Sequence, residues 1–176
     1  MNLKRPSSVA LLSLVSTLNF ASAVDDIDIT RPSLKGIKAV QVGVRISITE
    51  SDKGLIDEDL IQTDVELRLR KAGILVHSKK DTPNILDSGA FINVDLTVVA
   101  AGQGLYAVHW DVEVEQAARL GRDPSIIAPL AVTWSTGGTG VLNSPAEMNI
   151  TRKIRDQLAD SIDEFINAYL SVNPKK

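Results

Sequence analysis

The most regular alternation of apolar and polar residues lies in residues 90–119, which read AFINVDLTVVAAGQGLYAVHWDVEVEQAAR. On both sides of Gly102-Gln103-Gly104, apolar residues occupy every second position, a pattern typical of β-strands with one buried face. The two glycines around Gln103 favour a tight turn. We therefore predict a hairpin of two strands, 90–101 and 105–119.

Three further strands are predicted outside this hairpin, over residues 37–49, 74–77 and 126–135. In the first of them, valines and isoleucines alternate with polar residues from Val40 to Ile48. The last contains Pro129, which has no amide proton for a β-ladder and therefore favours an edge position or a bulge.

Two amphipathic helices complete the pattern. The first has Asp57 as its N-cap and ends at Gly73, and the second starts at a capping box, Ser144-Pro145-Ala146-Glu147, and runs to about Leu170. The resulting order is β-α-β-β-β-β-α. It predicts an α/β (α+β) fold, a two-layer sandwich in which both helices pack on one face of a five-stranded mixed sheet and the other face is exposed to solvent.

The first 23 residues have the three parts of a secretory signal peptide. Lys4 and Arg5 precede a mostly apolar stretch, residues 9–20, and Ala21-Ser22-Ala23 supplies the small residues of a cleavage site between Ala23 and Val24. The alternative is an N-terminal anchor helix, but twelve residues span about 18 Å of a ~30 Å hydrocarbon core. We expect a periplasmic or secreted protein with no membrane anchor after cleavage.

The rest of the chain is predicted to be a polar, loose N-terminal arm over 24–36 followed by a single α/β domain over 37–172. Among the 176 residues, 44% are hydrophobic and the net charge is −3, which gives no reason to expect nucleic acid as a partner. Cysteine is absent. Disulfides, thiolate metal sites and cysteine nucleophiles are therefore excluded.

Motifs that would identify an enzyme or a cofactor site are missing. The chain has no Gly-x-Ser-x-Gly elbow, no phosphate-binding loop with its lysine and no His-Glu-x-x-His. The glycines of Gly137-Gly138-Thr139-Gly140 are interpreted as a flexible turn after the last strand. The two histidines, His77 and His109, fall on separate strands and are interpreted as ordinary strand residues. We expect no catalytic residue, no cofactor and no metal site.

Strand alternation nevertheless predicts an acidic surface. If Trp110 and Val112 face the helices, the alternate positions of the same strand point to the solvent-exposed face of the sheet. Asn93, Asp95 and Thr97 of the neighbouring strand lie on that face too. The outward residues of the strand that contains Trp110 are His109, Asp111, Glu113 and Glu115. Such a face can bind a basic partner or a divalent cation, or supply an acid/base pair. The alternative is a solvated sheet face whose charges are offset by Arg45, Arg119 or Arg122.

Trp134 and Thr136 form a second candidate, because they end the last predicted strand beside the glycines. A tryptophan there can anchor a ligand or partner, or it can close the end of the core. Both interpretations of Trp134 stay open at this point.

Three stretches resemble small exported bacterial proteins of unassigned function: LIQTDVELRLRKAGI over 60–74, TWSTGGTGVL over 133–142 and IRDQLADSIDEFINAYLSVNP over 154–174. The element order is also similar to that of the N-terminal domain of TolB and related envelope accessory domains. The export signal, the missing catalytic motifs and this accessory-like architecture together favour a non-catalytic accessory module that binds an envelope protein. A small-ligand or cation binder is the alternative, and a hydrolase using paired carboxylates is the third.

Overall fold

The computed structural model describes residues 25–49, 52, 54–78, 81, 89–143 and 150–174. The expected signal peptide with its cleavage site at Ala23 and Val24, and the expected capping box at 144–147, lie outside these residues. The elements are a 3-10 helix at Arg31–Leu34, followed by β1 Ala39–Ile48, α1 Glu58–Lys71, β2 Leu75–His77, β3 Gly89–Gly102, β4 Leu105–Leu120, β5 Asp123–Asn143 and α2 Ile150–Val172. The predicted order β-α-β-β-β-β-α is confirmed.

The five strands form one mixed sheet in the order β2-β1-β3-β4-β5. β1 runs parallel to both β2 and β3, whereas β3, β4 and β5 pair antiparallel. The hairpin turn falls where the glycines predict it, with φ 52° at Gln103 and 72° at Gly104, the two positive values of a type I′ turn. β5 is an edge strand, as Pro129 suggests.

Both helices lie on the same face of the sheet. The Asp57 side chain accepts a hydrogen bond from the Leu60 amide and caps α1. Val65 of α1 and Ile162 and Phe165 of α2 are almost fully buried in one cluster with the inward residues of the strands. The two-layer sandwich is therefore confirmed. Among the residues that the structure describes, neither α1 nor α2 has the length and hydrophobicity of a membrane-spanning helix.

The glycine cluster is the largest difference from the expected secondary structure. The last strand was expected over 126–135, but β5 continues to Asn143 and contains the cluster, so the interpretation as a flexible turn is wrong. A Cβ on Gly138 would lie 2.7 Å from Cζ2 of Trp110, and one on Gly137 would lie 2.3 Å from the Trp110 carbonyl oxygen. Because these glycines have no side chain, Trp110 and Asp111 of β4 can pack directly against the backbone of β5.

Gly137→Ala should lower the free energy of unfolding by about 1–3 kcal/mol, the usual cost of overpacking, because the new methyl group meets backbone atoms that cannot rotate away. Gly140→Ala is the matched control. Its Cβ would meet only Trp110 at 3.8 Å, an ordinary contact, so its effect should stay within about 0.5 kcal/mol. Urea unfolding of both variants measures the difference. Equal free energies of unfolding for the two variants would show that the packing of Trp110 and Asp111 does not require glycine at position 137.

Residues 25–36 differ from the loose arm expected for 24–36. Leu34 is fully buried, and the Ser33 hydroxyl donates to the Thr133 carbonyl at 3.1 Å. The side-chain amide of Asn173 donates to the Leu34 carbonyl, and the Tyr169 hydroxyl donates to that of Ile37. The segment is thus fixed between β5 and the end of α2.

Candidate functional site

The sheet face opposite the helices carries the predicted acidic residues and is not covered by any described element. Its side chains alternate with the buried ones along β3 and β4. We call it the open face, and define it by Arg45, Asn93, Asp95, Thr97, Val99, Leu105, Ala107, His109, Asp111, Glu113, Glu115 and Val141.

At the centre of the open face, the register places Arg45, Asp95 and Asp111 in one row across three strands. Arg45 donates from Nε to Asp95 Oδ1 and from Nη2 to Asp95 Oδ2, both at 2.6 Å. This fork-to-fork pairing neutralises Asp95. The open face also carries the carboxylates of Asp111, Glu113 and Glu115, so among the described residues its centre has an excess of negative charge.

His109 connects two of its neighbours on the open face. Its Nε2 lies 2.7 Å from Asp111 Oδ2, and its Nδ1 lies 2.9 Å from the Thr139 hydroxyl. A hydroxyl, an imidazole and a carboxylate in this order are also the groups of a nucleophilic triad. Such a site further needs donors aimed at an oxyanion. The backbone of β4 pairs with β3 and β5 in the sheet, so this strand does not supply them.

The surroundings of Glu113 on the open face disfavour its negative charge. Burial raises the pKa of Glu113, and the neighbouring carboxylates of Asp111, Asp95 and Glu115 raise it further, against a smaller lowering by Arg45. Its ionised form is therefore less favourable in the folded protein than in the unfolded chain.

Glu113→Gln should raise the melting temperature at pH 7. A folded-state pKa above the ordinary value of 4.5 means that the folded protein binds the proton more tightly, so wild-type stability falls as the pH rises through that pKa. The glutamine variant lacks this penalty. Its melting temperature should therefore exceed that of the wild type at pH 7 and no longer exceed it below about pH 4.5. Thermal unfolding at a series of pH values measures it, with Asp160→Asn on the exposed side of α2 as the control. A lower melting temperature at pH 7 would contradict the assignment.

The candidates for metal binding do not converge. Within the described ranges, no group of three or more histidine, aspartate or glutamate side chains could hold a metal ion. His77 pairs with Gln41 on β1, whereas His109 pairs with Thr97 and Thr139 at another level of the sheet. The two histidines therefore lie apart.

Trp134 and Thr136 do not join the acidic residues, because both face the helices. Trp134 is fully buried, and its ring meets that of Phe165 edge-on at 5.4 Å. Thr136 donates to Glu164 of α2 at 2.6 Å. Of the two interpretations of Trp134, the structure agrees with the one that makes it a core residue.

A buried carboxylate beside Trp134 has no counterpart among the sequence candidates. Asp26 Oδ1 accepts from the indole N–H at 2.8 Å, and Arg31 donates to both oxygens of the same carboxylate. The hydrogen bond from Arg31 lowers the pKa of Asp26, and the one from Trp134 adds to it against the opposing effect of burial. Asp26 stands between Asp25 and Asp28 in the polar N-terminal segment, and no local pattern in the sequence distinguishes it from them.

The open face also has an apolar end that the sequence candidates missed. Val99, Ala107 and Val141 pair in one row across β3, β4 and β5, and Leu105 lies beside them. Val99 is 50% exposed and Val141 59%. The available signal was the apolar residues Val99, Leu105 and Ala107 at outward positions on both sides of the hairpin turn. Val141 lay beyond the expected end of the last strand at Ser135.

On the other side of the molecule, α1 and α2 line a small, half-open cavity of about 220 Å³. Its floor is apolar and includes Val65 and Ile162, and its rim includes Arg68, Arg152 and Arg155. Arg68 and Arg155 already pair with Asp163 and Asp64. The volume is below the roughly 300 Å³ of ordinary small-molecule sites.

No protein-family model matches the chain, and no curated protein matches it. Among solved structures, the chain is similar to the PelC dodecamer from Paraburkholderia phytofirmans, with 14% identity over 76% of this chain and 87% of that one and a TM-score of 0.41. It is also similar to the hypothetical protein CT253 from Chlamydia trachomatis, with 10% identity, coverage of 76% and 99%, and a TM-score of 0.42. A minor lipoprotein from Acinetobacter baumannii matches with 10% identity, coverage of 76% and 87%, and a TM-score of 0.30. These are bacterial proteins, and similarities this weak assign neither an activity nor a site residue to this chain.

Proposed function

We propose that this chain is an exported, non-catalytic bacterial envelope protein whose open face binds a partner protein with a basic and apolar surface. The observation that carries the proposal is the uncovered sheet face, acidic at its centre and apolar at one end. Protein interfaces commonly combine an apolar core with polar groups around it. Excess negative charge steers a positively charged partner and rejects an acidic one.

The layout of the open face supports one continuous contact. The apolar row of Val99, Ala107 and Val141 adjoins the row that contains His109, and the row of Asp95 and Asp111 comes next. A partner that packs on the first row therefore reaches the carboxylates two rows away, about 14 Å along the strands.

A photo-cross-linking residue placed at Thr97, which is exposed at the middle of the open face, tests the contact in the producing cell. We expect a cross-linked adduct with a second, basic protein. The same residue at Gln157, exposed on α2, is the control and should give none.

The triple variant Asp111→Asn, Glu113→Gln, Glu115→Gln should fold normally and lose the adduct formed at position 97, because it removes most of the negative charge of the face. An adduct of unchanged yield in the triple variant would refute the electrostatic part of the proposal. The absence of any adduct at position 97, or an adduct with an acidic protein, would refute the proposed function.

Export is supported by the signal pattern of residues 1–23. Mass spectrometry of the protein from its native host should find Val24 as the first residue. An intact Met1 on an envelope-associated protein would instead indicate an N-terminal anchor and contradict the cleavage.

A further inference from the structure

The two edges of the sheet differ in how they are protected against pairing with another strand. Edge strands expose unpaired backbone groups, and proteins protect them by shortness, charge, proline or cover. β2 at one edge has only three residues. β5 at the other edge has 21, and residues 124–143 contain no charged side chain.

Protection along β5 is uneven. Its first part contains Pro124 and Pro129 and irregular pairing with β4. Its middle is contacted by the N-terminal segment, where Ser33 binds Thr133 and Asp26 binds Trp134. The last part, residues 137–143, has neither proline nor charge. Leu142 packs against the core on the helix side, and Lys153 of α2 donates to the Asn143 carbonyl at the end of the strand.

We propose that residues 137–143 of β5 pair antiparallel with the same residues of a second copy of this chain, so that two sheets join into one. A two-fold axis perpendicular to the sheet relates the copies, and both helix layers then lie on the same side. The two open faces become one continuous surface. This assembly does not depend on which protein the open face binds.

The charge distribution favours a second copy as the occupant. In a two-fold antiparallel pair, residue i meets residue j and j meets i, and residues close to the axis meet their own symmetry mates. A charged side chain close to the axis would therefore face a like charge. The chain is acidic overall and its open face is acidic at the centre, which disfavours contact between copies there. The uncharged stretch GGTGVLN at the end of β5 has no such repulsion, and Val141, which is 59% exposed, offers apolar surface at the contact between the two copies.

Sedimentation of the purified protein at tens of micromolar should give twice the mass of one chain. Val141→Lys should give a monomer with an unchanged circular dichroism spectrum, because the two added charges meet at the joint. Val99→Lys is the matched control, since Val99 is 50% exposed in the same row but two strands from the edge. This variant should remain a dimer. A monomeric wild type, or dissociation by Val99→Lys and not by Val141→Lys, would overturn the proposal.

A distance measurement tests the arrangement independently of the charge variants. The chain has no cysteine, so Val141→Cys and Val99→Cys each carry one nitroxide label per chain. Strands lie about 4.8 Å apart, so labels at 99 should be about 20 Å farther from their symmetry mates than labels at 141. Equal distances, or the shorter distance at 99, would show that the copies do not join at β5.

Discussion

Replacing Trp134 by alanine should lower the free energy of unfolding by about 3–5 kcal/mol, the range for deleting a large aromatic side chain from a core. The ring is fully buried and meets Phe165 edge-on. Its N–H also binds Asp26, which connects the N-terminal segment to β5. The alanine variant therefore leaves a cavity and removes one donor from a buried carboxylate. Urea unfolding followed by circular dichroism measures the loss.

Trp134→Phe separates the two contributions. The phenylalanine variant keeps an aromatic ring beside Phe165, and Asp26 still has its pair with Arg31. Its loss should therefore be smaller than that of Trp134→Ala. If the alanine variant lost less than about 1 kcal/mol, well under the core range, Trp134 would not be the central residue of this end of the core.

Ile162→Ala on α2 should cost about 2–5 kcal/mol, and Leu158→Ala should fall in the same range. Both side chains are buried against the sheet and α1, with Ile162 fully so. Alanine has the higher helix propensity, so a loss at Ile162 reports packing rather than helix formation. α2 is therefore expected to be part of the core and not a detachable tail.

Gln157→Ala, at an exposed position of the same helix, is the control and should change stability by no more than about 0.5 kcal/mol. The same chemical unfolding experiment compares the three variants. Losses below about 0.5 kcal/mol at both Leu158 and Ile162, the range of surface changes, would mean that α2 docks through another face.

Local periodicity explains why so much of the fold was predictable. An inward residue at every second position determines which face of β3 and β4 is buried, so the alternation placed Asp111 and Glu113 outward without any knowledge of strand order. The same applies to Asp57 and Gly73, whose capping roles depend only on residues within one helical turn. The position of the acidic residues on the open face could thus be predicted from the sequence.

Strand register and long-range contacts could not be predicted from local periodicity. Residues 137–140 have the composition of a loop, and their pairing with residues 108–111 of β4 makes them part of a strand. Asp26 is separated by 108 residues from Trp134 in the chain, so nothing near it in the sequence indicates burial. For the same reason, Trp134 could be interpreted as either a surface anchor or a core residue until its partners were known.

The sequence by itself determined the element order, the two-layer class and the outward direction of the acidic side chains, because these follow from residues near one another in the chain. Only the tertiary structure decided that β5 extends to Asn143 at the sheet edge, that Val99 and Val141 share a row with Ala107, and that residues 25–36 are fixed. Each of these depends on which strand lies beside which. That choice is made by the packing of distant residues, which a local pattern does not contain.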